Sequence, residues 1–126
     1  MFTMQIQYAR VAICEGKVCG AMVALPHKKL EDLNAQTDKV ILKSQPGEYY
    51  VANIATFPWA RGKGIATKLL KDAEKMAKDQ GLSKCSLLVD QAKPSVIKLY
   101  SQLGYEIESE EVLEEQKYYW MIKSLN

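Results

Sequence analysis

Tyr50-Val51-Ala52-Asn53-Ile54-Ala55-Thr56-Phe57-Pro58-Trp59-Ala60-Arg61-Gly62-Lys63-Gly64-Ile65-Ala66-Thr67-Lys68-Leu69-Leu70 runs from strand to glycine turn to helix without a break. Tyr49 to Thr56 is apolar and β-prone, and Pro58 ends it because proline has no N–H to give to a ladder. From Ile65 to Gln80 the apolar residues are Ile65, Ala66, Leu69, Leu70, Ala73, Met76 and Ala77, the spacing of one helical face. Gly81 stands where a helix end favours a left-handed residue. Between strand and helix lies Arg61-Gly62-Lys63-Gly64-Ile65-Ala66. A helix start exposes N–H groups that have no intrahelical acceptor, at the positive end of the helix dipole. Glycines there let an anion approach the backbone, so the stretch reads as a phosphate cradle.

Working outward, Gln5 to Ile13 and Lys17 to Leu25 read as two strands joined by a turn at Glu15-Gly16-Lys17. Pro26 to Gly47 is polar and reads as a loop, with a short helix near Lys29 to Leu33 and a short strand near Lys39 to Leu42. Ser83 to Val89 is a further strand. Pro94 suits the first turn of a helix whose apolar face is Val96, Leu99, Tyr100 and Leu103, ended by Gly104. Tyr105 to Ile107 and Lys117 to Ile122 read as closing strands with a glutamate-rich connection between them. There is no repeat, low-complexity tract or linker, so the 126 residues are expected to form one domain, 1–126. The order of elements implies a mixed α/β (α+β) domain with helices packed on one sheet.

Composition narrows the function classes. A net charge of +2 is too small to argue for nucleic acid or a membrane surface as partner. The longest apolar run, about Val18 to Leu25, is too short to cross a bilayer, and the N-terminal residues carry no export signal. Cys14, Cys19 and Cys85 have no metal-ligand spacing. Cys14 and Cys19 bracket a turn that brings facing strands together, so a disulfide is conceivable, but the odd count favours free, buried thiols in a reducing cytoplasm. No metal is expected.

Three phosphate-binding motifs compete for the glycine turn. A Walker-type loop needs an upstream glycine that is absent, and Gly64 follows Gly62-Lys63 where Ser or Thr is required. A dinucleotide fingerprint fits Gly62 and Gly64, but Thr67 takes the third glycine's place. The third fits: Arg61-x-x-Gly64-x-Ala66 resembles the acyl-CoA signature Gln/Arg-x-x-Gly-x-Gly/Ala of the GNAT superfamily of N-acyltransferases. The run from Tyr50 to Leu70 resembles that family's fourth strand, turn and third helix. Leu99-Tyr100-Ser101-Gln102-Leu103-Gly104-Tyr105 resembles its Leu-Tyr-x-x-x-Gly-aromatic signature. The resemblance extends from about Ala9 to Lys123.

The resemblance implies a mostly antiparallel sheet and transfer of an acetyl group from acetyl-CoA to a primary amine of a small molecule or peptide, by direct attack in a ternary complex. It implies that the coenzyme A pyrophosphate rests on the amides of Gly62, Lys63, Gly64, Ile65 and Ala66, with the Thr67 hydroxyl and the charge of Arg61 beside them. It implies that the pantetheine arm lies along Ile54, Ala55 and Thr56. Lys93 stands where the family often has a coenzyme-contacting asparagine. Tyr100 occupies the place of the general acid that protonates the departing thiolate. The competing readings are a solvated basic helix face for the turn and a core tyrosine for Tyr100. A non-catalytic acyl-CoA binding or sensing module is the rival function.

The general base is open. Asn53 occupies the strand position where relatives often carry glutamate, Glu48 begins that strand, and His27 lies in a loop; an ordered water is the default. The glutamates between the closing strands form either a solvated face or a rim that attracts a cationic amine. The family usually begins with a strand and two helices that wall the acceptor pocket, and the chain is expected to lack them. A missing wall leaves apolar surface open, which argues for a homodimer.

Overall fold

A computed structural model describes residues 1–29 and 44–125. The short helix and strand expected between Lys29 and Leu42 fall outside the described residues, except that 27–29 are helical. The strands are β1 (Phe2–Ile6), β2 (Ala9–Cys14), β3 (Lys17–Pro26), β4 (Glu48–Thr56), β5 (Lys84–Asp90), β6 (Glu106–Leu113) and β7 (Gln116–Ser124). The helices are α1 (Ile65–Asp79) and α2 (Pro94–Gln102), with a 3-10 turn at Pro58–Ala60. One seven-stranded sheet has the order β1-β2-β3-β4-β5-β7-β6. Among the described residues only the β4–β5 pair is parallel. The expected mixed, mostly antiparallel sheet is therefore present.

Both helices pack on one sheet face. Ile65, Leu69, Leu70, Ala73 and Ala77 of α1 are buried there with Tyr49, Val51, Leu87, Val89 and Met121 of the sheet. Each such leucine contributes about 2–3 kcal/mol through burial. On the opposite face Leu25, Tyr50 and Trp120 form a second cluster, in which the Tyr50 and Trp120 rings stack at 5.4 Å. Gly20 is required by contact: a Cβ there would lie 2.7 Å from Ile65 Cγ2 and 2.9 Å from the Ala55 carbonyl oxygen. That small residue lets the start of α1 sit down on β3 and β4.

The structure corrects several sequence expectations. The segment from Gln5 to Ile13 is not one strand: it turns at Gln7-Tyr8, and β1 lies antiparallel to β2 with Phe2 opposite Ile13 and Ile6 opposite Ala9. A first strand is thus present, and between it and β2 there are two residues rather than two helices. The glutamate-rich connection is strand: β6 runs to Leu113, and the turn is Glu114-Glu115, both at positive φ. The chain also joins Cys14 to Cys19 in a disulfide, where free thiols were expected. The β2–β3 register skips Cys19, and this bulge brings the two Cα atoms to 5.8 Å. Cys85 is free and fully buried, and burial pushes its thiol up to about 12.

Candidate functional site

The sheet opens between β4 and β5. Their parallel pairing stops at Val51–Leu87. The β3–β4 register passes from Ala24–Val51 to Val23–Asn53, which leaves Ala52 as an extra residue. A bulge bends and twists its strand, so β4 swings away from β5 at that point. Beyond it Ile54, Ala55 and Thr56 pair with Met22, Ala21 and Gly20 of β3 on one side only. Half of their backbone N–H and C=O groups therefore face the gap.

A cavity of about 410 Å³ occupies the gap. On the helix side it is lined by Ala66, Val96, Leu99 and Tyr100, and elsewhere by Asn53, Leu88, Asp90 and Tyr118. Leu88 belongs to the cluster on the face away from the helices, and Asp90 lies two residues farther along β5 on that same face. The cavity thus connects the two faces of the sheet. It continues into a space between Ile54–Thr56 and the start of α2, bordered by Arg61 and Lys93, and into another over Gly62, Gly64 and Thr67.

The glycine turn is built for an anion. Gly62 has φ 80° and Gly64, the N-cap of α1, has φ 73°, so both backbones sit in the left-handed region. A Cβ on either would meet nothing within 4 Å, so open space lies over the turn. The first helical bond is Lys68 N–H to the Gly64 carbonyl at 3.0 Å, which leaves the amides of Ile65, Ala66 and Thr67 without intrahelical acceptors. No side chain caps them and no acidic residue lies in the first turn. Arg61 makes no ion pair among the described residues. Lys68 is tied to Asp72 at 2.8 Å, and the Lys63 ammonium sits 5.6 Å from the centre of the Trp59 ring, where it keeps its positive charge. These groups fit a phosphate.

Tyr100 is 94 % buried, beside Tyr105 at a centroid distance of 6.2 Å. Burial raises its phenol above the ordinary value, so the proton is held at neutral pH. Of the other candidates, Glu48 is 2 % exposed and lines a separate cavity with Lys84, Ser109 and Trp120. One oxygen accepts the Gln45 N–H at 3.1 Å and the other is buried without a partner among the described residues. His27 lies just past β3, half-buried, with Nδ1 2.7 Å from Ser44 Oγ. Neither lines the gap. Asn53 does, as an amide. Lys63 alone among the sequence-named ligands lines none of the three connected spaces; its backbone remains in the turn.

Asp90 and Tyr118 were missed by sequence reasoning. The Asp90 carboxylate accepts the Ala92 N–H at 2.9 Å and a Gln116 Nε2 hydrogen at 2.7 Å, which hold it below the usual carboxylate range. The only available signal was the position of Asp90 at the end of an apolar strand.

Comparison with known proteins agrees with this architecture. The model of the Acetyltransferase (GNAT) family matches residues 5–105. An acetyltransferase of known crystal structure is 26 % identical, with a TM-score of 0.77 over 95 % of this chain and 71 % of that one. An N-acetyltransferase from Staphylococcus aureus Mu50 is 27 % identical, with a TM-score of 0.74 over 92 % of this chain and 69 % of that one. The PaiA N-acetyltransferase from Thermoplasma acidophilum, solved in complex with coenzyme A, shares the fold at 19 % identity, with a TM-score of 0.65 over 92 % of this chain and 59 % of that one. No match is found among curated proteins. With the family model matching residues 5–105, most of its length, the chain belongs to the GNAT acetyltransferase family, a family of acyltransferases.

Proposed function

We propose that this single domain, 1–126, transfers an acetyl group from acetyl-CoA to a primary amine in a ternary complex. The carrying observation is the convergence of the free amides at the α1 start, the one-sided edge of β4 and the buried Tyr100 phenol on connected spaces. The amides of Gly62 to Ala66, the Thr67 hydroxyl and Arg61 bind the pyrophosphate. Ile54, Ala55 and Thr56 hold the pantetheine arm as an added strand. Lys93, the N-cap of α2, adds positive charge beside it. The amine nitrogen attacks the thioester carbonyl, the C–S bond breaks, and Tyr100 gives its proton to the departing sulfur. The amine's own proton leaves through water, since neither Glu48 nor His27 reaches the gap.

The test is thiol release from acetyl-CoA with a panel of amines. Tyr100→Phe is expected to lower kcat by roughly 10²-fold or more while leaving acetyl-CoA affinity within about twofold. Equal loss of both removes the assigned role. A rival reading, a non-catalytic acyl-CoA sensor, rests on Asn53 standing where a base would be, and it predicts binding without thiol release from any amine.

The proposal includes a homodimer, supported by apolar side chains exposed on the sheet face opposite α1 and α2. The proposed setting is the cytoplasm, where a thioester donor is at hand; among the described residues no helix is long and apolar enough to cross a membrane. The Cys14–Cys19 bond pulls against a reducing compartment.

A further inference from the structure

We propose that the acceptor is an aliphatic diamine or polyamine, and that Asp90 with the Tyr118 ring holds the ammonium that does not react. This rests on the acetyl-transfer reading above and names the acceptor class for that site. The strand registers carry it. Asp90 on β5 stands directly opposite Tyr118 on β7, and Tyr118 stands directly opposite Glu111 on β6. Opposed residues in antiparallel strands point to the same face. The row lies on the face away from the helices, and its inner two members line the cavity that leads to Tyr100.

The chemistry of the row selects a cation. The Asp90 carboxylate is held in place by the Ala92 and Gln116 hydrogen bonds and keeps unused lone pairs toward solvent. An aromatic face one strand away, roughly 5 Å across, attracts an ammonium by cation–π interaction. Among the described residues Lys93 is the cation whose field reaches Asp90, and it borders the donor end of the cavity, where it is assigned to the cofactor. Lys117 is on the other face, opposite Val112. The cavity of about 410 Å³ must also take the acetyl end of the donor, and an unbranched chain makes the smallest demand on the volume that remains. One amine at the gap and a second over Asp90 and Tyr118 satisfies both ends.

Thiol release from acetyl-CoA with 1,4-diaminobutane and with n-butylamine tests this. The unaltered protein is expected to prefer the diamine by about tenfold or more in kcat/KM, the worth of one charge-assisted contact. Asp90→Asn keeps an oxygen for the Ala92 N–H and removes the charge. It is expected to reduce the preference to about twofold, mainly by raising KM for the diamine, and Asp90→Glu is expected to restore much of it. Equal use of the two amines by the unaltered protein, or a preference that survives in Asp90→Asn, overturns the inference while leaving acetyl transfer standing. No thiol release from either amine, with acetyl-CoA bound, overturns both.

Discussion

Asp72 shows how one side chain fixes the edge of this sheet to its main helix. Its carboxylate accepts the Thr3 hydroxyl at 2.7 Å and Lys68 Nζ at 2.8 Å, and Arg10 lies 3.8 Å away while bonding Thr3 at 2.9 Å. Burial pushes the carboxyl up, but the hydrogen bonds from Lys68 and Thr3 and the charges of Lys68 and Arg10 outweigh it, and the net shift is downward. A folded pKa below the unfolded value of about 3.9 means the ionised form stabilises the fold above that value. The contribution is lost as pH falls through the folded pKa. Asp72→Asn is expected to lower stability by roughly 1–2 kcal/mol at pH 7, and the difference is expected to shrink below about pH 4. Urea midpoints at pH 7 and pH 3 measure it. An undiminished gap at pH 3 refutes the charge-based account. Tyr100 was legible in the sequence because its neighbours form a local motif. Asp72 was not, because Thr3 is 69 positions away and only the β1–β2 hairpin brings it near. Asp90 and Tyr118 were hidden for the same reason: they meet through strand register.

At the scale of elements, the strand–turn–helix unit was readable because each part depends on local chemistry. Gly64 is needed for its φ of 73° alone, since the space around its missing Cβ is open. Gly64→Ala therefore adds backbone strain without a clash, at a cost of about 1 kcal/mol or more. The strain falls on the residue that aims the Ile65, Ala66 and Thr67 amides. Coenzyme A affinity is expected to weaken on the order of tenfold by isothermal titration, with a melting temperature lowered by only a few degrees. Unchanged affinity would place the pyrophosphate elsewhere. The elements that escaped reading are those whose turns break the usual composition. Glu114 and Glu115 at φ 49° and 68°, and Gln7 at φ 53°, occupy conformations that Asn or Gly normally fill. Without that punctuation β6 read as a connection and β1 merged with β2. The Ala52 bulge leaves no mark in composition, yet it opens the gap on which the site depends.

Across the whole molecule, the two sheet faces are treated unequally. One carries α1 and α2. On the other, Thr3 turns inward to Asp72, so Phe2, Met4 and Ile6 project away from the helices at 56 %, 49 % and 60 % exposure. They stand opposite Ile13, Val11 and Ala9 of β2, which stand opposite Val18, Ala21 and Val23 of β3. Val18 and Val23 are exposed as well. Among the described residues the strand positions of this patch carry no charge, and it exposes on the order of 500 Å² of apolar surface, the size at which a monomer's largest patch is usually functional. Two such faces brought together about a two-fold axis bury on the order of 1,000 Å², the lower bound for a specific interface. The face continues to Asn53 and Ala55, opposite Val23 and Ala21, so a second copy seated there borders the acceptor side of the gap. The protein is expected to sediment as twice its 14.2 kDa mass at micromolar concentration. Replacing Phe2, Met4 and Ile6 together with serine is expected to give the single mass, because it removes the apolar stripe while leaving the strand's backbone edge intact. If the serine variant still pairs, the contact runs through the open edge of β1 instead of its face. A single mass for the unaltered protein at every concentration tested removes the dimer, and the acceptor side of the gap is then built by one chain alone.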